Sequence, residues 1–193
     1  MENKKELIIA IGASTGGTEA IAHIIEQLPG DMPPILIAQH MPGYFTSSYA
    51  ARLNRIGKLE VREARNFDEL RPGLALLAPG DFHLLLDKNG DKYFAAINQE
   101  PKMFFQRPSV ELLFKSVARC AGSNAIGVIL TGMGKDGATG LLALRNAGAI
   151  TIGQDESTSV VYGMPRVAFE LGAVEYQKRI EEIPETLIKF CKT

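Results

Sequence analysis

The sequence predicts an α/β protein with a doubly wound, mainly parallel sheet, helices on both faces and an antiparallel hairpin edge. Three observations support this fold class. Short continuous apolar runs, typical of strands buried on both faces, alternate with stretches of helical period. Glycine-rich or polar turns follow several of these runs. The middle of the chain carries short β-like runs instead, with an Asn-Gly pair that favours a tight hairpin.

The first part of the chain predicts strands and helices in alternation. Apolar spacing places a helix after the first strand, and Pro29-Gly30 ends it. Thr46 is a candidate cap for the next helix. The predicted elements, in order, are a strand at 7–11, a helix around 21–28, a strand at 35–38, a helix at 46–53 and a strand at 59–64.

The middle of the chain predicts antiparallel strands, whereas the end predicts alternating strands and helices. Runs at 74–77, 82–86 and 93–97 predict an antiparallel flap or edge, with Asn89-Gly90 at its turn. The α/β alternation then returns, and Pro184 is expected in the first turn of a C-terminal helix. The remaining predicted elements are helices around 110–117 and 141–144 and strands at 127–130 and 149–152.

Length and composition exclude several classes of protein. A chain of 193 residues corresponds to about one domain. The net charge of −1 argues against a general nucleic-acid binder. No apolar run is long enough to span a membrane, and the charged N-terminus does not resemble a secretory signal, so we expect a cytoplasmic protein without membrane insertion. Two cysteines without a CxxC pair argue against a disulfide scaffold and a cysteine zinc site.

Three polar segments follow predicted parallel strands, at 12–17, 39–42 and 131–137. Ligands of open α/β sheets bind beyond the carboxyl ends of such strands. The segments contain Ser14, His40 and Asp136, which together are the residue types of a nucleophile, a general base and an orienting carboxylate. The sequence therefore predicts acyl transfer, in which Ser14 attacks a carbonyl and His40 moves the proton.

The segment around Ser14 matches the G-x-S-x-G pattern of a nucleophile on a tight turn between strand and helix. Backbone N–H groups at the start of that helix could stabilise an oxyanion. A dinucleotide site is the competing interpretation, but Ser14 replaces the second glycine of its fingerprint, and His40 stands where an acidic residue would hold a ribose. A P-loop is excluded because no Gly-Lys-Ser/Thr occurs.

Each candidate residue also has a purely structural interpretation. Ser14 could cap a helix, His40 could be a packed or loop histidine, and Asp136 could be a turn residue or the cap of the following helix. His83 could replace His40 as the base, although its position in the flap favours a structural or rim role. A protein that binds a partner or a nucleotide without catalysing a reaction therefore remains an alternative to the enzyme.

Taken as a set, these segments resemble the catalytic domain of the chemoreceptor protein-glutamate methylesterases of bacterial chemotaxis. The resemblance runs in order across nearly the whole chain and is far more specific than G-x-S-x-G alone. The matching stretches are IAIGASTGGTEA at 9–20, QHMP at 39–42, APGD at 78–81, RPSV at 107–110, GVILTGMG at 127–134 with Asp136-Gly137, and GMPR at 163–166.

The resemblance implies a triad of Ser14, His40 and Asp136, with Thr15 next to the nucleophile and Met133 beside the oxyanion site. It implies hydrolysis of glutamate methyl esters on cytoplasmic chemoreceptor helices, with release of methanol, as a step of chemotactic adaptation. Deamidation of receptor glutamines is a second implied activity. Neither a metal nor a cofactor is expected, and the partner is the cytoplasmic domain of a methyl-accepting chemoreceptor rather than nucleic acid.

Two further expectations come with the resemblance. Family members usually carry an N-terminal receiver domain, whereas this sequence begins close to its first strand. We therefore expect one methylesterase catalytic domain over residues 1–193, either excised from a longer protein or naturally separate. We expect no control by phosphorylation within this chain. Arg107 and Arg166, each near a predicted helix start, are either surface charges or substrate-binding residues, since a receptor helix would carry carboxylates.

Overall fold

The computed structural model describes residues 7–192 and has a sheet of parallel strands between two layers of helices. The strands are β1 (Ile8–Ala13), β2 (Ile35–Gln39), β3 (Glu60–Glu63), β4 (Leu74–Leu77), β5 (His83–Asn89), β6 (Lys92–Asn98), β7 (Ala125–Ile129), β8 (Ile150–Gln154) and β9 (Tyr176–Lys178). The helices are α1 (Gly17–Gln27), α2 (Gly43–Ile56), α3 (Val110–Cys120), α4 (Ala138–Asn146), α5 (Met164–Glu170) and α6 (Ile183–Cys191). None of these helices is long and apolar enough to cross a membrane.

The main sheet confirms the predicted doubly wound fold. Its strand order is β3-β4-β2-β1-β7-β8-β9, and every described pairing within it is parallel. Strands β2, β4 and β3 lie on one side of β1, and the chain then returns to place β7, β8 and β9 on the other side. The topological switch point of the sheet therefore lies beside β1, where open α/β sheets form their ligand crevices.

The two faces of the sheet bury two separate apolar clusters. Alternate side chains of a strand point to opposite faces. Ile9 and Ile11 of β1 pack in one cluster with helix residues such as Ile21 of α1. Ile8 and Ala10 join the other cluster, which includes α3, α4 and the hairpin strands. The central strands are buried along their whole length, which explains why they are continuous apolar runs.

The hairpin confirms one prediction and corrects two details. Strands β5 and β6 pair antiparallel, as the Asn-Gly turn predicts, but they form a separate two-stranded sheet instead of an edge of the main one. They pack on α3, where Ser116 Oγ accepts a hydrogen bond from the Leu86 N–H at 2.8 Å. The run at 74–77, expected in the flap, is the parallel strand β4 between β2 and β3.

Helix α2 begins earlier than the sequence predicts. It starts at Gly43, directly after Pro42, and Thr46 lies in its first turn instead of capping it. The Thr46 hydroxyl donates to the Gly43 carbonyl and to the Glu63 carboxylate. The start of the helix also packs closely on Gly80, where a Cβ would lie 2.1 Å from Gly43 Cα. This contact fixes the segment that follows His40.

Replacing Gly80 by alanine should destabilise the protein, because the new Cβ would collide with the backbone of Gly43. Overpacking of this kind costs about 1–3 kcal/mol of unfolding free energy, which urea denaturation would measure. Gly43→Ala is the matched control, since its Cβ would meet Gly80 O at an ordinary 3.4 Å and alanine favours a helix. Equal stability of the two variants would contradict the contact.

Candidate active site

The three polar segments predicted to meet do so at the carboxyl ends of β1, β2 and β7. Backbone hydrogen bonds join them: the Ser14 N–H donates to Thr131 O at 3.0 Å, and the His40 N–H donates to Ala13 O at 3.2 Å. Gly132 permits a very close approach, because a Cβ there would lie 2.7 Å from Ser14 Cβ. The segment after β7 therefore packs directly against the serine.

Ser14 lies in the tight turn between β1 and α1. Its carbonyl accepts the Gly17 N–H at 2.8 Å, and Gly16 adopts a left-handed φ of 81° that a glycine tolerates. Gly16 is the N-cap of α1, which has no side-chain cap, so the helix-cap interpretation of Ser14 is wrong. The half-buried serine is left with a hydroxyl that no described hydrogen bond uses.

His40 and Asp136 form a buried pair. His40 Nε2 lies 2.7 Å from Asp136 Oδ2, and the two side chains are 6% and 3% exposed. The carboxylate can only accept, so Nε2 carries a proton, and in the neutral tautomer with this proton the lone pair lies on Nδ1. Nδ1 is buried and has no partner among residues 7–192. The described hydrogen bonds do not include one between His40 and Ser14. His40 can therefore accept a proton at Nδ1 while Asp136 stabilises the resulting charge.

Asp136 is held by the N-terminus of α3 as well as by His40. Its carboxylate accepts the Ser109 hydroxyl at 2.9 Å and the N–H groups of Val110 and Glu111 at 2.8 and 2.9 Å. The partial positive charge of a helix N-terminus favours a carboxylate in this position. Asp136 is thus a cap, as one interpretation expects, but it caps α3 instead of the helix that follows it.

Glu111 completes a reciprocal arrangement between α3 and α4. Its side chain is 1% exposed, accepts the Gly140 N–H at 2.9 Å and the Thr139 hydroxyl, and pairs with Lys115. Asp136, two residues before α4, therefore satisfies N–H groups at the start of α3, and Glu111 of α3 satisfies groups at the start of α4. The position of Asp136 depends on both helices, and sequence analysis did not identify Glu111.

Gln39 also supports the site and was missed as a functional candidate. Its Nε2 donates to the carbonyls of Ser14 and His40 at 2.9 and 3.1 Å, which ties the two segments together. Its Oε1 is buried without a partner among the described residues. Gly17 makes room for it, because a Cβ there would lie 2.2 Å from that oxygen. The sequence did offer a signal for Gln39, because it is a polar residue at the end of an otherwise apolar strand.

Thr131 joins the serine turn to the segment after β8. Its hydroxyl donates to Thr15 O at 2.9 Å and accepts the Val161 N–H at 3.0 Å. Its own N–H donates to the buried side chain of Gln154 at 2.8 Å. These bonds keep the turns after β1 and β7 in a fixed relation.

Thr15 and Met133 lie on the solvent side of this arrangement. Thr15 is exposed, and the Met133 side chain is 73% exposed. No described hydrogen bond uses the N–H groups of Thr15, Gly16 or Met133. Backbone donors of this kind, beside a serine and near a helix N-terminus, can bind a developing oxyanion.

His83 has a structural position, so it does not replace His40. It is fully buried in the start of β5. Its Nδ1 accepts the Ser109 N–H at 3.1 Å, and its Nε2 lies 3.1 Å from the Pro101 carbonyl, which assigns the proton to Nε2. His83 thus supports Ser109, which in turn holds Asp136.

Arg107 and Arg166 line different clefts. Arg107, with His40, lines a cleft of about 550 Å³. Its guanidinium donates to Asp81, and this hydrogen bond lowers the pKa of the Asp81 carboxyl. The guanidinium also donates to Gln99 O and Glu100 O. Arg166 pairs with Glu170 in another cleft of about 560 Å³, so the two arginines are not brought together. Within residues 7–192, no group of three or more His, Cys, Asp or Glu could hold a metal ion.

Comparison with known proteins finds one matching family and many relatives. Residues 9–187 match the family model described as CheB methylesterase. The chain is 48% identical over 182 residues to protein-glutamate methylesterase/protein-glutamine glutaminase 2 of Syntrophus aciditrophicus, covering 94% of this chain and 53% of that protein. It is 51% identical to the protein of the same name in Pseudomonas aeruginosa, covering 95% and 53%. The chain thus spans about half the length of these curated relatives.

A solved structure matches the fold closely. The catalytic domain of the Thermotoga maritima CheB methylesterase superposes with a TM-score of 0.93 at 41% sequence identity. The match covers 95% of this chain and 98% of that one. The two chains are thus similar in sequence as well as in fold.

The hydrogen bonds around Asp136 predict the effect of Ser109→Ala. The change removes the hydroxyl that donates to Asp136 and accepts the Leu112 N–H, and it should lower the unfolding free energy by about 1–2 kcal/mol in urea. Ser48→Ala is the control, because this exposed hydroxyl donates only to the Phe45 carbonyl within α2, and the change should alter stability by less than about 0.5 kcal/mol. Indistinguishable variants would refute the supporting role of Ser109.

Proposed function

The chain belongs to the CheB methylesterase family, and we propose on that premise that it is a serine hydrolase removing methyl esters from glutamate side chains of chemoreceptor helices. One observation carries the proposal: the buried His40–Asp136 pair, whose Nδ1 has no partner among residues 7–192, lies at the carboxyl ends of the strands, where Ser14 follows β1. The names of the relatives, protein-glutamate methylesterase/protein-glutamine glutaminase, support the reaction class.

In the proposed mechanism, Ser14 Oγ attacks the ester carbonyl while His40 Nδ1 takes its proton. Asp136, bonded to Nε2, stabilises the imidazolium that results. The tetrahedral oxyanion is bound by backbone N–H groups of Thr15, Gly16 or Met133. His40 returns the proton to the leaving oxygen, and methanol departs from the acyl-enzyme.

Water completes the reaction. His40 takes a proton from the water as its oxygen attacks the acyl-enzyme carbonyl, and the proton then passes to Ser14 Oγ as the ester bond to the serine breaks. The product is a glutamate carboxylate. The roles of His40 and Asp136 in this half-reaction are the same as in the first, as microscopic reversibility requires.

The same residues could deamidate receptor glutamines, which the names of the relatives include as a glutaminase activity. A glutamine differs from the methyl ester in its leaving group, which departs as ammonia after taking the proton from His40. Both reactions develop an oxyanion at a side-chain carbonyl, so one set of donors would serve them. No separate site is needed for the second activity.

Ser14→Ala should abolish methanol release from methylated chemoreceptor membranes, because the nucleophile is lost. Release is measured for the parent and the variant, with unfolding curves as the check on folding. The Ser14 hydroxyl makes no described hydrogen bond, so we expect stability to change by less than about 0.5 kcal/mol. Equal release by both proteins would remove Ser14 from the mechanism. Saturable dinucleotide binding with no release by the parent would favour a binding module instead.

Electrostatic steering by Arg107 and Arg166 is a further part of the proposal, since a receptor helix rich in carboxylates would be attracted to them. Arg166 is the cleaner test because Arg107 also holds the 99–100 backbone. Arg166→Glu should raise the apparent KM for the receptor several-fold at low salt and much less at high salt, where screening weakens the attraction. An unchanged KM at low salt would eliminate steering by this residue.

A further inference from the structure

A tight hairpin at residues 103–106 borders the cleft next to His40. Met103 and Gln106 exchange two backbone hydrogen bonds, from Met103 N to Gln106 O at 3.1 Å and from Gln106 N to Met103 O at 2.9 Å. The two residues between them are Phe104 and Phe105, with φ of 49° and 63°. Positive φ at both central residues is the requirement of a type I′ turn.

Phenylalanine is a poor choice at both positions of such a turn. The left-handed region is disfavoured for bulky residues, and type I′ turns strongly prefer Asn-Gly. Phe105 gains little from packing, because it is 93% exposed, whereas Phe104 is 39% exposed and has Lys135 Nζ at 5.3 Å from its ring centroid. Strained residues that persist in this way are frequent at functional sites.

The position of the hairpin indicates what it could contact. Phe105, Gln106 and Lys102 line the same cleft as His40. Lys135, beneath Phe104, directly precedes Asp136. Gly43, the first residue of α2, also lines this cleft, and the exposed rings of Tyr44 and Phe45 follow it in the chain. The cleft beside the histidine thus combines the exposed ring of Phe105 with the cationic Lys102 and the Arg107–Asp81 ion pair, and Lys135 adds a further cation beside Phe104.

We propose that the hairpin at 103–106 is the docking element for the protein substrate. Resting on the function proposed above, its partner is an amphipathic helix that carries both apolar side chains and the carboxylates around the target ester. Phe105 packs on the apolar side chains, and Lys102 and Lys135 attract the carboxylates. A small ester, which fills only the space at His40, does not reach Phe105.

Phe105→Gly tests the proposal, with the double variant Phe104→Asn/Phe105→Gly as a second step. Both substitutions suit a type I′ turn, so we expect the thermal midpoint to stay or to rise by roughly a few degrees. The kcat/KM on a methylated, water-soluble receptor cytoplasmic fragment should fall about tenfold, mainly through KM. Hydrolysis of a small glutamate γ-methyl ester should keep its kcat/KM.

Phe67→Asn is the matched control. Phe67 is another exposed phenylalanine with positive φ, at 67°, but it lies between β3 and β4 and lines no part of the cleft beside His40. The Phe67→Asn variant should relieve similar backbone strain without changing kcat/KM on the receptor fragment or on the small ester. Dependence of the parent's activity on Ser14 is measured in the same assays, so failure of the hydrolase itself is recognised separately.

Three results would overturn the docking role. Unchanged kcat/KM on the receptor fragment would show that the hairpin does not contact the substrate. An equal loss on the small ester would make the hairpin part of the reaction centre. A loss seen with receptors in phospholipid vesicles but not with the soluble fragment would assign the exposed rings to the lipid surface.

Discussion

The hydrogen bonding of the Asp136 carboxylate is the constraint on which the site depends. One group satisfies the N-terminus of α3, accepts a hydroxyl from Ser109 and binds His40 Nε2. A buried carboxylate without such donors would be costly, and a buried helix N-terminus without an acceptor would also be costly. The carboxylate and the helix N-terminus therefore offset each other's free-energy cost of burial. His40 also gains a hydrogen-bond acceptor, the position of which is set by the packing of α3 and α4.

Close backbone contacts allow the sheet to bring these groups together. Gly12, Gly17 and Gly132 lie where a Cβ would overlap Val110, Gln39 or Ser14. At each place the absence of a side chain lets one segment of the site pack directly on another. The glycine-rich turns are thus part of the geometry of the site as well as a means of reversing the chain.

Local patterns in the sequence were enough to predict the parallel core and the three polar segments, because buried strands are apolar runs and their ends must carry the polar residues. The pairing of His40 with Asp136 could be expected from topology. Ser109 and Glu111 could not be assigned in the same way, since their roles depend on contacts between elements distant in the chain. Gln39 did carry a signal, as a polar residue at the end of an apolar strand, but its partners could not be predicted. The location of the β5–β6 hairpin on α3 was missed for the same reason: an Asn-Gly turn predicts pairing of two strands but not the surface that they cover.

The insertion of β1 between β2 and β7 has a consequence for biosynthesis. Ser14 and His40 leave the ribosome early, whereas Asp136 lies 96 residues after His40. When β2 first pairs with β1, the nascent chain has Ser14 and His40, but the N-terminus of α3 and the Asp136 carboxylate have still to be synthesised. Under the function proposed above, the complete triad can therefore form only after β7 has joined the sheet, when five of the seven strands have been synthesised.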